Sequence, residues 1–142
     1  MKDVLFQSYE LLEQLDNSTM IIRMNFQAKV CLLTKKREFV VLRHCYESEK
    51  RSVVFVKSIE YENSPPVQED SMRGTIHNGG FIIEPKEDDP NCCLVTYISH
   101  AELKLVPNID SEFALRIVTK KILENTLKIF DRIYTLSTTN DK

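Results

Sequence analysis

Lys36-Arg37-Glu38-Phe39-Val40-Val41-Leu42-Arg43 opens a run, continuing to Tyr46, that is dense in Val and Phe and reads as a β-strand. Strand alternation puts Phe39, Val41, Arg43 and Cys45 on one side and Val40, Leu42, His44 and Tyr46 on the other. Both sides are largely apolar, so the strand has no clearly wet face. A guanidinium in the middle of an apolar face calls for a carboxylate partner, or for a water-containing cavity in which a ligand headgroup can meet it. The residues alone leave both explanations for Arg43 open.

Working outward, Ser52 to Tyr61 is a second apolar run, separated from the first by Glu47-Ser48-Glu49-Lys50, which predicts a hairpin. Thr19 to Phe26 reads as the preceding strand. Before it, Val4-Leu5, Tyr9, Leu11-Leu12 and Leu15 recur at helical spacing and stop at Asp16-Asn17, which predicts a short helix closed by turn residues. Met72 to His77 and Gly80 to Glu84 flank Asn78-Gly79, a strong signal for a type I′ hairpin turn. An acidic loop from Pro85 to Asn91 then leads into a long strand from Cys92 to Lys104. The expected sheet has about six strands in antiparallel succession.

From Ser111 to Leu136 the apolar period lengthens to about 3.6, with Leu115, Val118, Ile122, Ile129, Ile133 and Leu136 along one stripe. Leu123, Leu127, Phe130 and Tyr134 lie beside it. Asp110 or Ser111 suits the N-cap, and Glu112 suits the first turn. Such a helix is about 39 Å long, enough to lie across a sheet.

Five segments in order resemble the START family, the StAR-related lipid-transfer domains. The family pattern runs Arg-Asp-Phe-Val-x-x-Arg, Ser-Val-x-His before Pro-Pro, Val-Arg-Gly, Ser-Gly-Trp-x-Ile-x-Pro and Thr-Tyr-x-x-His-x-Asp-x-Lys-Gly. This chain supplies Arg37 to Arg43, Ser58-Ile59-Glu60-Tyr61 before Pro65-Pro66, Met72-Arg73-Gly74, Gly79 to Pro85, and Thr96 to Lys104. It departs from the pattern at Glu38, Tyr61, Phe81, Glu102 and Leu105. The resemblance spans nearly all of this chain but only the later part of the family domain. The family's opening helix, first three strands and tryptophan-bearing helix have no counterpart before Met1.

The resemblance implies an α+β helix-grip fold of the START and Bet v 1-like type, with a curved antiparallel sheet packed on a long C-terminal helix and the N-terminal elements missing. It implies a partial lipid-binding domain over residues 1–136 and a disordered tail over 137–142. Carried over strand by strand, the lipid-facing residues are Ile22, Met24, Phe26, Val41, Arg43, Val54, Val56, Val95 and Tyr97. The family's acid partner for Arg43 aligns with Met24. Arg43 and Tyr97 are the expected headgroup contacts, whereas the aliphatic residues, in a sheet that lacks three strands, favour a core packed on the terminal helix. The implied function is intracellular binding or transfer of one lipid, a sterol, phospholipid or sphingolipid, held between sheet and helix. A regulatory or protein-interaction module on a truncated scaffold is the alternative. With three strands missing, Thr19 to Phe26 is the expected open edge, guarded only by Arg23 and available to a homodimer or a partner chain.

Composition narrows the remaining classes. The 142 residues are 42% hydrophobic and 28% charged, enough for one folded domain. A net charge of −2 gives no basic face for nucleic acid. No apolar run approaches the roughly 20 residues of a membrane span, and Asp3 and Glu10 do not suit a signal peptide, so the expected location is cytoplasmic. Cys31, Cys45, Cys92 and Cys93 form no Cys-x-x-Cys pair and read as reduced thiols without a metal. His44, His77 and His100 belong to no metal motif, Glu69-Asp70 and Asp88-Asp89 fall in loops, and there is no phosphate loop or nucleophile elbow. Binding is expected, not catalysis, with no cofactor. On the terminal helix, Arg116, Lys120, Lys121, Lys128 and Arg132 outnumber Glu112, Glu124 and Asp131, which suits transient contact with anionic membranes.

Overall fold

The computed structural model describes residues 5–30, 33–89 and 91–102, together with Arg116, Lys120, Leu123, Glu124 and Leu127, which are helical. Its strands are β1 (Leu5–Gln14), β2 (Thr19–Val30), β3 (Leu33–Glu47), β4 (Ser52–Ser58), β5 (Ser71–Arg73), β6 (Thr75–Pro85) and β7 (Cys93–Glu102). They form one seven-stranded sheet in the order β1-β2-β3-β4-β6-β7. Neighbours along that path are antiparallel, and β5 runs parallel to β3 beside Lys36 to Glu38. β3 pairs with β2 along most of its length, and on its other side it serves two further partners, β5 at its start and β4 from Val41 onward.

The segment expected to be a helix before Asp16 is instead strand β1. The reason lies in its pairing with β2, where the register shifts between Phe6 and Ser8 and between Leu11 and Glu13. A bulge inserts one residue without changing sheet face beyond it. Phe6, Tyr9, Leu11 and Gln14 therefore line up opposite Phe26, Met24, Ile22 and Met20 at uneven spacing, a spacing that imitates helical periodicity. The turn follows the Asx pattern, with the Ser18 amide donating to Asp16 Oδ1 at 2.7 Å and the Leu15 amide to the Thr19 carbonyl at 3.0 Å.

β1 also removes the open edge expected at Thr19 to Phe26. Arg23 guards no edge; it pairs with Glu10 on β1 at 2.5 Å. Among the described residues the strands at the two ends of this path are β1 and β7.

Asn78-Gly79 is likewise not a turn. β6 runs straight through it, with Gly79 opposite Val56 and Gly80 opposite Phe55 on β4. Gly80 has φ of 143°, and a Cβ there would collide with the Val54 carbonyl oxygen. Glycine is present because the backbones approach closely, a second use of the residue that sequence alone does not separate from a turn. His77 is bulged in the pairing of β6 with β7.

The core lies on one face, where Ile22, Phe39 and Val41 are buried and Met20, Met24, Phe26, Val56 and Ile76 pack against them. Burying side chains of this size contributes about 1.5–3 kcal/mol each. The terminal helix expected over 111–136 falls largely outside the described residues, as does the tail over 137–142. The curved antiparallel sheet is the part of the helix-grip plan that the described residues contain.

Candidate functional site

The strand registers define the face. Met20, Ile22, Met24 and Phe26 on β2 stand opposite Arg43, Val41, Phe39 and Arg37 on β3. Arg43 and Cys45 stand opposite Val56 and Val54 on β4, which in turn face Gly79 and Phe81 on β6. Phe81 and Ile83 stand opposite Tyr97 and Val95 on β7. Directly opposed residues project to the same side. Ile22, Met24, Phe26, Val41, Arg43, Val54, Val56, Val95 and Tyr97 therefore share one face of the sheet.

The same face also carries Phe6, Phe39 and Phe81, which were not among the expected lipid-facing residues. Phe6, Phe26 and Phe39 form an edge-to-face series, each adjacent pair of ring centroids 5.6 Å apart. Phe81 stacks on Tyr97 at 4.9 Å. Phe39 was visible as apolar but belongs to the core of the face, at 2% exposed. Toward β1 the face is open, with Phe6 50%, Tyr9 64% and Leu11 51% exposed. These three apolar side chains stand opposite Phe26, Met24 and Ile22 on one face, so they adjoin one another and are not scattered.

Arg43 is half-buried and donates to the Met20 thioether at 3.7 Å. The residue directly opposite it on β2 is Met20, while Met24 stands opposite Phe39. Thus no carboxylate occupies either cross-strand position beside Arg43, since Val56 fills the β4 side. Arg37 lies on the same face beyond Phe39 and is 3% exposed; burial pushes its guanidinium pKa down. Its Nη1 donates to the Lys36 carbonyl at 2.7 Å.

The opposite face handles its polar groups differently. Glu38 is fully buried there and accepts from Arg73, including Nε at 2.9 Å. Arg73 also donates to the Pro65 carbonyl at 2.7 Å and to Ser64 Oγ at 2.5 Å, and the Gln68 amide points to Glu38 at 3.4 Å. The Arg-Glu-Phe and Met-Arg-Gly segments, far apart in sequence, are thereby joined. Gly74 completes the joint: its amide donates to the Glu38 carbonyl at 3.0 Å, and a Cβ there would strike the Phe39 ring. Tyr61 reaches Glu13 on β1, a hydrogen bond that raises the phenol pKa. The segment from Tyr61 to Gln68 thus lies over this face, which explains why Ile21 and Val40 are buried on it as well.

Cys45, Cys92 and Cys93 are free thiols, and Asp89 beside Cys92 pushes that thiol's pKa up, away from reactivity. Among the described residues no group of three or more His, Cys, Asp or Glu side chains could hold a metal, and no helix is long and apolar enough to cross a membrane. A recess of about 540 Å³ lined by Tyr46, Ser48, Glu49, Lys50, Arg51 and Glu84 sits at the β3–β4 turn. Its lining combines the turn residues with Tyr46 of β3 and Glu84 of β6, and it lies apart from the Arg43 face.

The START domain family profile matches residues 2–126, and the chain belongs to that family. Its sheet is similar to solved human structures. With StAR-related lipid transfer protein 5 it shares 23% identity over 89% of this chain and 62% of that one, TM-score 0.66. With STARD10 it shares 20% identity over 87% and 50%, TM-score 0.59. With the StarD13 (DLC2) lipid transfer and protein localization domain it shares 23% identity over 72% and 50%, TM-score 0.58. The chain therefore spans about half to three-fifths of the length of these structures. No curated protein sequence matches it.

Proposed function

We propose that this chain binds a lipid against the face shared by β2, β3, β4, β6 and β7, and that it serves intracellular lipid binding or transfer, not catalysis. The observation that carries this reading is the convergence of Ile22, Met24, Phe26, Val41, Val54, Val56 and Val95 with Arg43 and Tyr97 on one face of a START-family sheet. The apolar residues supply affinity at about 0.8 kcal/mol per buried methylene. Tyr97 joins a stacked ring to a polar tip, which suits the boundary between acyl body and headgroup.

Arg43 is the headgroup contact, because the sulfur of Met20 is a weak acceptor that leaves most of the guanidinium's donors for a ligand. The lipid class is a sterol, phospholipid or sphingolipid bearing a carbonyl, phosphate or carboxylate acceptor, and no cofactor takes part. Exchange would involve transient membrane contact through the terminal helix. Leu123 and Leu127, 47% and 68% exposed, follow Arg116 and Lys120 at helical spacing on one face, which supports that role. The site of action would be the cytoplasm.

Titration of the purified chain with headgroup-varied lipids tests the assignment. Arg43→Leu should weaken binding of an acceptor-bearing lipid by about 10–100-fold, the equivalent of one charged hydrogen-bonding group, while its unfolding midpoint moves little. A variant that binds as before but unfolds readily would make Arg43 a structural residue. A second reading, an interaction module that keeps the scaffold without enclosing lipid, is favoured by the exposure of Phe6, Tyr9 and Leu11 on the same face. It predicts no lipid uptake by either protein.

A further inference from the structure

The loop over residues 59–70 joins β4 to β5 and meets the sheet at Arg73 and Glu38. Arg73 gives Nε to the Glu38 carboxylate at 2.9 Å, and its other nitrogens donate to Ser64 Oγ at 2.5 Å and to the Pro65 carbonyl at 2.7 Å. One guanidinium therefore serves a fully buried carboxylate on one side and two successive loop residues on the other. Those two residues, Ser64-Pro65, are the only place in the 142-residue sequence where Ser or Thr precedes Pro. Glu62, Asn63, Pro66, Val67 and Gln68 around them are exposed, Ser64 itself is half-buried, and the loop contains no helix or strand. A residue before proline is biased toward extended backbone, the form in which a protein-kinase cleft takes an acceptor segment.

We infer that Ser64 is a phosphorylation site for a proline-directed protein kinase, and that the phosphate releases the 59–70 loop from Arg73. In the transfer, Ser64 Oγ attacks the γ-phosphorus of ATP, the bond from that phosphorus to the bridging oxygen of ADP breaks, and the hydroxyl proton passes to the kinase's base. The resulting phosphoserine carries about −1.5 to −2 charge near pH 7. Before the transfer, Arg73 balances one anion, Glu38; afterwards the same guanidinium faces two. Glu38 cannot yield, because it projects from the middle of β3, paired with Asn25 on β2 and Arg73 on β5. A phosphate set beside a carboxylate disrupts by like-charge repulsion, and the irregular loop is the partner that can move. Its departure uncovers Ile21 and Val40, now 5% and 3% exposed. These residues project from the face opposite Arg43, so the inference does not rest on the lipid reading.

Incubation of the purified full chain with a proline-directed serine/threonine kinase and ATP, followed by peptide mass spectrometry and amide hydrogen exchange, tests it. One phosphoryl group should map to Ser64, and Ser64→Ala and Pro65→Ala should each take up none. The folded chain should be phosphorylated within about tenfold of the rate of a free peptide spanning residues 59–70, since surface loops open locally at little free-energy cost. In the phosphorylated chain the amides of Ser64 and Gln68, which donate to the Tyr61 carbonyl and the Glu38 carboxylate, should lose protection while those of β7 keep theirs. A folded chain that takes up no phosphate at Ser64, or takes it up far more slowly than the peptide, overturns the inference. So does a phosphorylated chain whose loop amides stay as protected as before. Site mapping and exchange both use the wild-type chain, so they decide the matter even if a variant fails to fold.

Discussion

Glu38 and Arg43 belong to one strand yet meet opposite circumstances, because alternation sends them to opposite faces. Glu38 has no solvent exposure and is held by Arg73. A buried carboxylate is tolerable only when its lone pairs are filled, so removing the cation strands a charge. Arg73→Ala should therefore cost about 3–5 kcal/mol in urea unfolding, whereas Glu38→Leu combined with Arg73→Met should recover much of the loss. Equal destabilisation by the single and double variants would show that the pair is not the source of the effect. Glu38 could be seen in the sequence only as a departure from an Asp-bearing motif. Its partner is separated by 35 positions and sits in another motif, and no local rule connects such residues. Arg43 was legible because an arginine among Val, Leu and Phe is anomalous by itself. Its true neighbour, Met20, was not, since choosing between Met20 and Met24 requires the register of β2 on β3.

Strands with regular alternation were legible, and strands with bulges or internal glycines were not. The β3–β4 hairpin follows directly from two apolar runs around a polar tetrapeptide, and its turn closes with the Ser48 amide donating to the Arg51 carbonyl at 2.9 Å. β1 was misread because its bulges shift the apolar phase, and β6 because Asn-Gly signals a turn only when the chain reverses there. Two measurements probe these elements. Gly80→Ala should cost more than ~1 kcal/mol in urea unfolding, since the native φ is unfavourable for alanine and its Cβ would collide with β4. A neutral result would mean β4 and β6 separate at no cost. At the β1–β2 turn, the Ser18 amide and then the Thr19 hydroxyl hold the Asp16 pKa below its usual value. A carboxyl depressed in the folded state stabilises above its unfolded pKa, and that contribution disappears as pH falls through the folded value. The protection factor of the Ser18 amide, its exchange rate relative to that of an unstructured peptide at the same pH, should therefore fall on acidification below about pH 4. Asp16→Ala should remove this acid-induced loss of protection, and a variant with the same pH profile as wild type would assign the effect elsewhere.

At the scale of the whole molecule, the face was legible before the fold was. The residues expected to meet lipid came from motif positions on different strands, and the registers bring them to one side because antiparallel neighbours place opposed residues together. The edges were not legible: the expected opening at β2 is occupied by β1. No single-strand pattern reveals which strands end a sheet. The claim that the Arg43 face is the lipid-binding face is tested most directly on two neighbouring residues of β7. Val95 projects to that face and Leu94 to the other, so a charge at either burdens the same strand but only one faces the lipid. Native mass spectrometry of the purified chain, Val95→Asp and Leu94→Asp should find a lipid adduct on the wild type and on Leu94→Asp, and a much reduced adduct on Val95→Asp. Equal adducts on both variants, or loss confined to Leu94→Asp, would contradict it.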